Sequence, residues 1–236
     1  MTRILVRLAV VFGLLLMAAC VTQGQTHADG VRFTPGETRV ALMPLDVSLF
    51  QLTAGGVLEP RADWTEQAEA HVAAAVMQVN SSRGLRLIDF DDSKLAPAEQ
   101  VRMGQVIKLH RVVGGEILIQ QRVPALRPPS KEGTFDWSIG PHARAVKAQT
   151  GADYGLFVYL KDSYSTGGRV ALNIVTAVLF GTTVGGGQQI GYASLVNLET
   201  GQIVWFGSLA RGAGDLRTPE SAQEAVDSLF TTLPEG

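Results

Sequence analysis

Ile190-Gly-Tyr-Ala-Ser-Leu-Val-Asn-Leu198 and Ile203-Val-Trp-Phe-Gly-Ser-Leu-Ala210 are two apolar runs joined by Glu199-Thr200-Gly201-Gln202. Each run has the length and the aromatic and β-branched content of a strand, and the linker carries a glycine where a tight turn needs one. The pair predicts a β-hairpin. Just upstream, Tyr154 to Lys161 (YGLFVYLK) is aromatic and apolar, and predicts a central strand of the same sheet.

Outward from this β-rich centre the pattern changes period. Towards the N-terminus, Arg39-Val-Ala-Leu-Met-Pro-Leu-Asp46 predicts a buried strand stopped by Pro44, and Leu52 to Pro60 predicts a loop. Asp63 predicts a helix cap, with Glu66 three residues on. Trp64, Ala68, Val72, Ala75, Val76 and Val79 then form one apolar face, and Gly84 ends the helix. Leu85 to Phe90 alternates as a strand. Pro97 opens a further helix, which Val101, Ile107 and Leu109 continue towards Ile117-Leu-Ile119; Gly114-Gly115 leaves its end open, and a strand at 116–121 is the rival reading. Pro141 starts a short helix stopped by Gly151. Towards the C-terminus, Thr218-Pro219 opens a helix with Ala222, Ala225, Val226, Leu229, Phe230 and Leu233 on one face. The implied class is α/β (α+β), a mixed sheet of about four to six strands packed with three or four helices.

The opening RVALMPLDV…DWTEQAEAHVAAAV, the ADYGLFVYL strand and the IGYASLVNLETGQIVWFG hairpin together resemble periplasmic outer-membrane lipoproteins built on an anticodon-binding-like α/β domain. That group includes the curli-secretion channel lipoprotein, the N-terminal domain of TolB and lipoprotein activators of penicillin-binding proteins. The resemblance covers residues 39 to 233 in topology and short stretches in sequence. It implies a partner-binding or assembly role, with no shared active site to carry over. The chain lacks an obvious pair of membrane-spanning hairpins like those of the curli channel, which counts against a pore.

The N-terminus carries its own signal. Arg3 and Arg7 precede the apolar run Leu8 to Cys20, and the run closes on Met17-Ala-Ala-Cys20. This is a secretory signal peptide, too short to span a bilayer, which needs roughly 20 apolar residues. Its end resembles a bacterial lipobox with Met in place of the usual Leu. Cys20 is the lone cysteine of 236 residues, so it is the expected lipidation site and an intrachain disulfide is impossible. The expected organisation is a signal peptide at 1–19, a lipidated N-terminus and flexible tether at 20–38, and a single α/β domain at 39–236. Val21 at the second mature position points to the outer membrane, with the protein on its periplasmic face.

Composition and motifs narrow the chemistry. A net charge of −2 with charged residues at 18 % leaves no basic patch for nucleic acid. The four histidines, His27, His71, His110 and His142, make no metal-binding spacing, and His71 reads as a half-buried packing residue. Asp89, Asp91 and Asp92 lack the full calcium-loop pattern and read as a solvated strand end. Gly185 to Gly187 leads into a strand, not a helix with a lysine, so a turn is preferred to a phosphate cradle. No catalytic residue, metal ligand or cofactor is assigned.

Val170 to Val184 (VALNIVTAVLFGTTV) holds no charge. Its length and Gly-rich flank favour a buried strand or core helix. The rival reading is a membrane- or oligomer-contacting element through Val170, Leu172, Ile174, Val175, Val178, Leu179 and Phe180. The expected function is a non-catalytic binding or assembly component of a cell-envelope complex, held to the membrane by lipid and meeting a protein partner. The alternatives are an oligomeric secretion component, which would make the chain a homo-oligomer, and a hydrolase with an unrecognised site.

Overall fold

A computed structural model describes residues 21–26, 33–34, 37–212 and 214–234. The expected signal peptide at 1–19 and the expected lipidation site Cys20 lie outside the described residues.

The strands are β1 (Val21–Thr26), β2 (Arg39–Leu42), β3 (Asp46–Leu52), β4 (Leu58–Pro60), β5 (Arg86–Asp89), β6 (Tyr154–Ser165), β7 (Gln189–Asn197) and β8 (Ile203–Arg211). They form one mixed sheet in the order β1-β8-β7-β6-β2-β5, and β3 continues the edge of β6 beyond β2. The helices are α1 (Ala62–Arg83), α2 (Pro97–Arg122), α3 (Arg144–Thr150), α4 (Gly167–Phe180) and α5 (Pro219–Phe230). The expected class is therefore observed, with more strands than the sequence pattern suggested.

Strand alternation builds a core on each face. In β6, Leu156, Val158 and Leu160 pack on one side with α1 and α5, while Phe157 packs on the other with α2 and α3. The hairpin β7–β8 does the same. Ala193, Leu195, Trp205 and Leu209 face α1 and α5; Tyr192, Val196, Ile203 and Phe206 face α2 and α3. Burial on both faces is why these strands read as continuous apolar runs rather than clean alternations. The predicted turn is present: Asn197 Oδ1 accepts from the amides of Glu199 and Thr200, and Gly201 sits at φ +76°.

Several expectations need correction. Helix α1 starts one residue before Asp63, with Arg61 at its N-cap; Asp63 instead pairs with the Arg61 guanidinium at 2.7 Å. The stretch 52–60 is not merely a loop, because β4 returns antiparallel on β3. Helix α2 runs unbroken through Gly114-Gly115 to Arg122, as its continuation towards Ile117-Leu-Ile119 implied, and the rival strand at 116–121 is absent. The reason is packing. A Cβ on Gly114 would fall 2.3 Å from the Tyr192 ring, so glycine lets the helix lie directly on that ring, whose hydroxyl donates to the Arg111 carbonyl at 2.6 Å. Val21–Thr26, read as tether, pairs antiparallel with β8 from Ala210 to Trp205 and forms an edge of the sheet.

The largest correction concerns 170–184. The favoured reading, a buried strand or core helix, fails on burial. The segment is mostly the helix α4, and no residue of α4 is buried.

Candidate interaction surface

Helix α4 leaves the sheet from the end of β6 and the chain returns through 181–188 to β7. Thr166 caps it by accepting from the Arg169 amide, and Gly181 at φ +67° ends it. Inside, the polar residues form one stripe. Arg169, Asn173 and Thr176 stand at i, i+4 and i+7, and they are the half-buried positions between Arg169 and Phe180. Arg169 donates to the carbonyls of Val184, Gly185 and Ala54; Asn173 donates to Gly185 at 3.1 Å and accepts from the Val184 amide at 3.0 Å. The return loop is thereby pinned along the polar stripe.

The remaining circumference is apolar and exposed. At 100° per residue, Val170, Ala171, Leu172, Ile174, Val175, Ala177, Val178 and Leu179 sweep an arc of roughly 220°. Val178 is 78 % exposed and Phe180 74 %. An ordinary surface helix turns its apolar stripe inward and its polar face to water. Helix α4 does the reverse, with its one cation and its amide turned in. The structure therefore brings the predicted residues Val170, Leu172, Ile174, Val175, Val178 and Leu179 onto one exposed arc; Phe180, the last residue of the helix, is exposed as well but stands on the side of the polar stripe.

That surface continues onto the β3–β4 turn. Arg169 lies 3.5 Å from where a Cβ on Gly56 would stand, and the ideal Cβ of Gly168 lies 3.5 Å from Ala54. Val57 in this turn and Leu58, the first residue of β4, are also exposed. Below the helix lies a cleft of about 310 Å³ between β6, 187–189, Gly212, Gly214 and Arg217. Its floor is a polar cluster that sequence reasoning missed. Asp162, 1 % exposed, accepts from Tyr164 at 2.6 Å, Gln189 at 2.7 Å and the Ser163 amide at 2.8 Å. Burial nevertheless pushes its carboxyl upward, and burial with the Asp162 carboxylate raises the Tyr164 phenol. Arg211 donates to Gln189 at 2.6 Å and Glu224 at 2.5 Å, while Arg217 lies over the Tyr164 ring at 3.9 Å and pairs with Asp215 at 2.8 Å. That pairing with Arg217 draws the Asp215 carboxyl down. Arg211 ties the end of β8 to Glu224 of α5, and Arg217 ties the segment before α5 to Tyr164 and to Trp64 of α1, so the cluster braces the base from which α4 projects.

The other sequence candidates are dispersed. His71 is half-buried, with Nδ1 3.3 Å from the Leu216 carbonyl. His110 is buried, stacked on Phe157 at 4.6 Å, with Nε2 2.8 Å from Ser194 Oγ. Burial pulls its pKa down to about 3. His142 is exposed, and His27 lies outside the described residues. Asp91 caps a short helix through the Ser93 amide and pairs with Lys94 at 2.9 Å; the Ser93 and Lys94 hydrogen bonds lower its pKa to about 2. Among the described residues no group of three or more His, Cys, Asp or Glu side chains is placed to hold a metal ion, and no helix is long and apolar enough to cross a membrane.

The sequence matches no protein-family model and no curated protein. Solved structures do match. A PelC variant dodecamer from Paraburkholderia phytofirmans is 13 % identical, covering 92 % of this chain and 100 % of that one at a TM-score of 0.42. A second crystal form of the PelC dodecamer from the same organism is 13 % identical, covering 92 % and 99 %, at 0.38. The LpoB C-terminal domain from Salmonella enterica is 17 % identical, covering 78 % and 86 %, at 0.28. No residue role is carried over from any of them.

Proposed function

We propose that this chain is a cell-envelope lipoprotein, anchored through Cys20 on the periplasmic face of the outer membrane, that works as a binding or assembly component. The observation that carries the reading is helix α4, which exposes an apolar arc while its polar residues face inward. A helix of this kind is unfavourable in water and is kept where something other than water meets it. The lipobox at Met17 to Cys20 supports the anchor, and the charges beneath α4 serve as braces. The role is therefore presentation of a surface, with α4 as the presented element.

Mass spectrometry of protein extracted from membranes tests this. The expected result is an N-terminal peptide beginning at Cys20 and carrying acyl chains; an unmodified Cys20 on a soluble protein contradicts it. Light scattering of the same detergent extract measures assembly. A multiple of the subunit mass supports the oligomeric form of the reading, and a single subunit mass directs the search to a different protein partner.

A further inference from the structure

We propose that α4 inserts into the same bilayer leaflet that holds the lipid on Cys20, so that the domain is fixed to the membrane at two points. The proposal rests on the lipoprotein reading and adds the second point.

Sheet register places the two points at one end of the molecule. Val21, covalently next to Cys20, pairs with Ala210; Ala210 pairs with Ile190; Ile190 pairs with Lys161. Val21 is thus level with Lys161, and α4 begins six residues beyond Lys161, just past the end of that strand. Three strand spacings and a few residues of rise separate them by some 20 Å. The opposite end of the sheet, with the 198–202 turn and the start of β6, faces away. The exposed Val57 and Leu58, just past the end of β3, lie at this same end of the sheet, because Leu52 pairs with Ser165 immediately before α4.

The chemistry of the helix selects lipid as the occupant. A second protein surface covers one side of a helix, whereas the apolar arc of α4 spans some 220°. Lipid surrounds a helix and demands that polar groups be satisfied internally. Arg169, Asn173 and Thr176 are satisfied that way, against 184–185, Ala54 and the helix backbone. At 14 residues the helix is about 21 Å long, enough to enter a leaflet and too short to cross the roughly 30 Å hydrocarbon core.

The chain has a single cysteine, which acylation would occupy, so Val178→Cys supplies the lone free thiol in the acylated full-length protein. An environment-sensitive dye placed there is read in vesicles of phosphatidylethanolamine and phosphatidylglycerol. Met77→Cys, exposed on α1 towards the opposite end of the sheet, is the control. The expected result is blue-shifted emission at 178, several-fold weaker quenching by iodide than at 77, and quenching by lipids brominated on their acyl chains. A dye at 178 that stays as wet as the one at 77, on protein that floats with the vesicles and keeps its circular dichroism, overturns the insertion and leaves the anchor intact. Energy transfer between dyes at 178 on different molecules, without bromolipid quenching, overturns it in favour of a second copy. Protein that does not float overturns the anchor, and with it the insertion.

Discussion

Val175→Asp separates a helix that packs inside the protein from one that meets another phase. Val175 sits in the middle of α4 and is 50 % exposed. Burying a valine side chain fully stabilises by about 1.5–3 kcal/mol, so the half that is covered contributes about 1 kcal/mol. Valine and aspartate have similar helix propensities, so the backbone adds little. The expected destabilisation in water is about 1 kcal/mol, a fall in melting temperature of roughly 2–4 °C for a domain of this size. Val158, 2 % exposed in β6, provides the contrast. Val158→Asp buries an unpaired carboxylate and costs several kcal/mol, a large share of a typical 5–15 kcal/mol stability. In a bilayer the cost at Val175 rises: an aspartate at the centre of an inserted helix costs about 2.5–3.5 kcal/mol, roughly a 100-fold loss in partition. Urea unfolding followed by circular dichroism measures the first pair of values. A Val175→Asp protein that unfolds like Val158→Asp, or without a cooperative transition, refutes the exposed placement of α4.

Other substitutions test the fold and the contact. Gly114→Ala drives a Cβ into the Tyr192 ring and is expected to destabilise by about 1–3 kcal/mol, with partial recovery in a Gly114→Ala/Tyr192→Leu double variant, both read from thermal unfolding. His110 stays neutral in the folded protein, with its pKa lowered by burial to about 3, and regains an ordinary value near 6.5 when unfolded. Below pH 6.5 the unfolded chain therefore binds the extra proton, and stability falls by about 1.4 kcal/mol per pH unit, some 3 kcal/mol by pH 4.5. His110→Gln, which keeps a polar partner for Ser194, should flatten that slope in urea titrations at a series of pH values. Because α4 presents no charged residue outward, its insertion should be indifferent to added salt and to the fraction of anionic lipid, measured by the dye at 178; a steep loss with salt would point to an electrostatic contact instead.

The parts of the fold that read clearly from sequence are those whose period survives burial. The α1 and α5 faces recur at helical spacing, and the β7–β8 hairpin announces its turn at Gly201. The missed strands are short or polar: β3 (DVSLFQL) runs directly on from β2 after Pro44, and β4 is three residues long. The end of helix α2 was open at Gly114 because a contact 78 residues away, with Tyr192, explains that glycine. The candidate surface was legible as a list of residues and not as a placement. Hydrophobicity alone does not distinguish an apolar segment that is covered from one that is bare. The distinguishing signal was present in the polar minority, since Arg169, Asn173 and Thr176 share one face and leave none for water. The Asp162 cluster was hidden for a different reason: its members come from β6, β7, β8, the segment 214–217 and the middle of α5, and only the tertiary fold joins them.

The central claim is that α4 is where this protein meets its surroundings in the envelope. Photo-crosslinking in intact cells measures that directly, with a diazirine amino acid placed in turn at positions 174, 178 and 77. The account predicts adducts with membrane components from 174 and 178 and none from 77. Adducts from 77 with silence at 174 and 178 would contradict it.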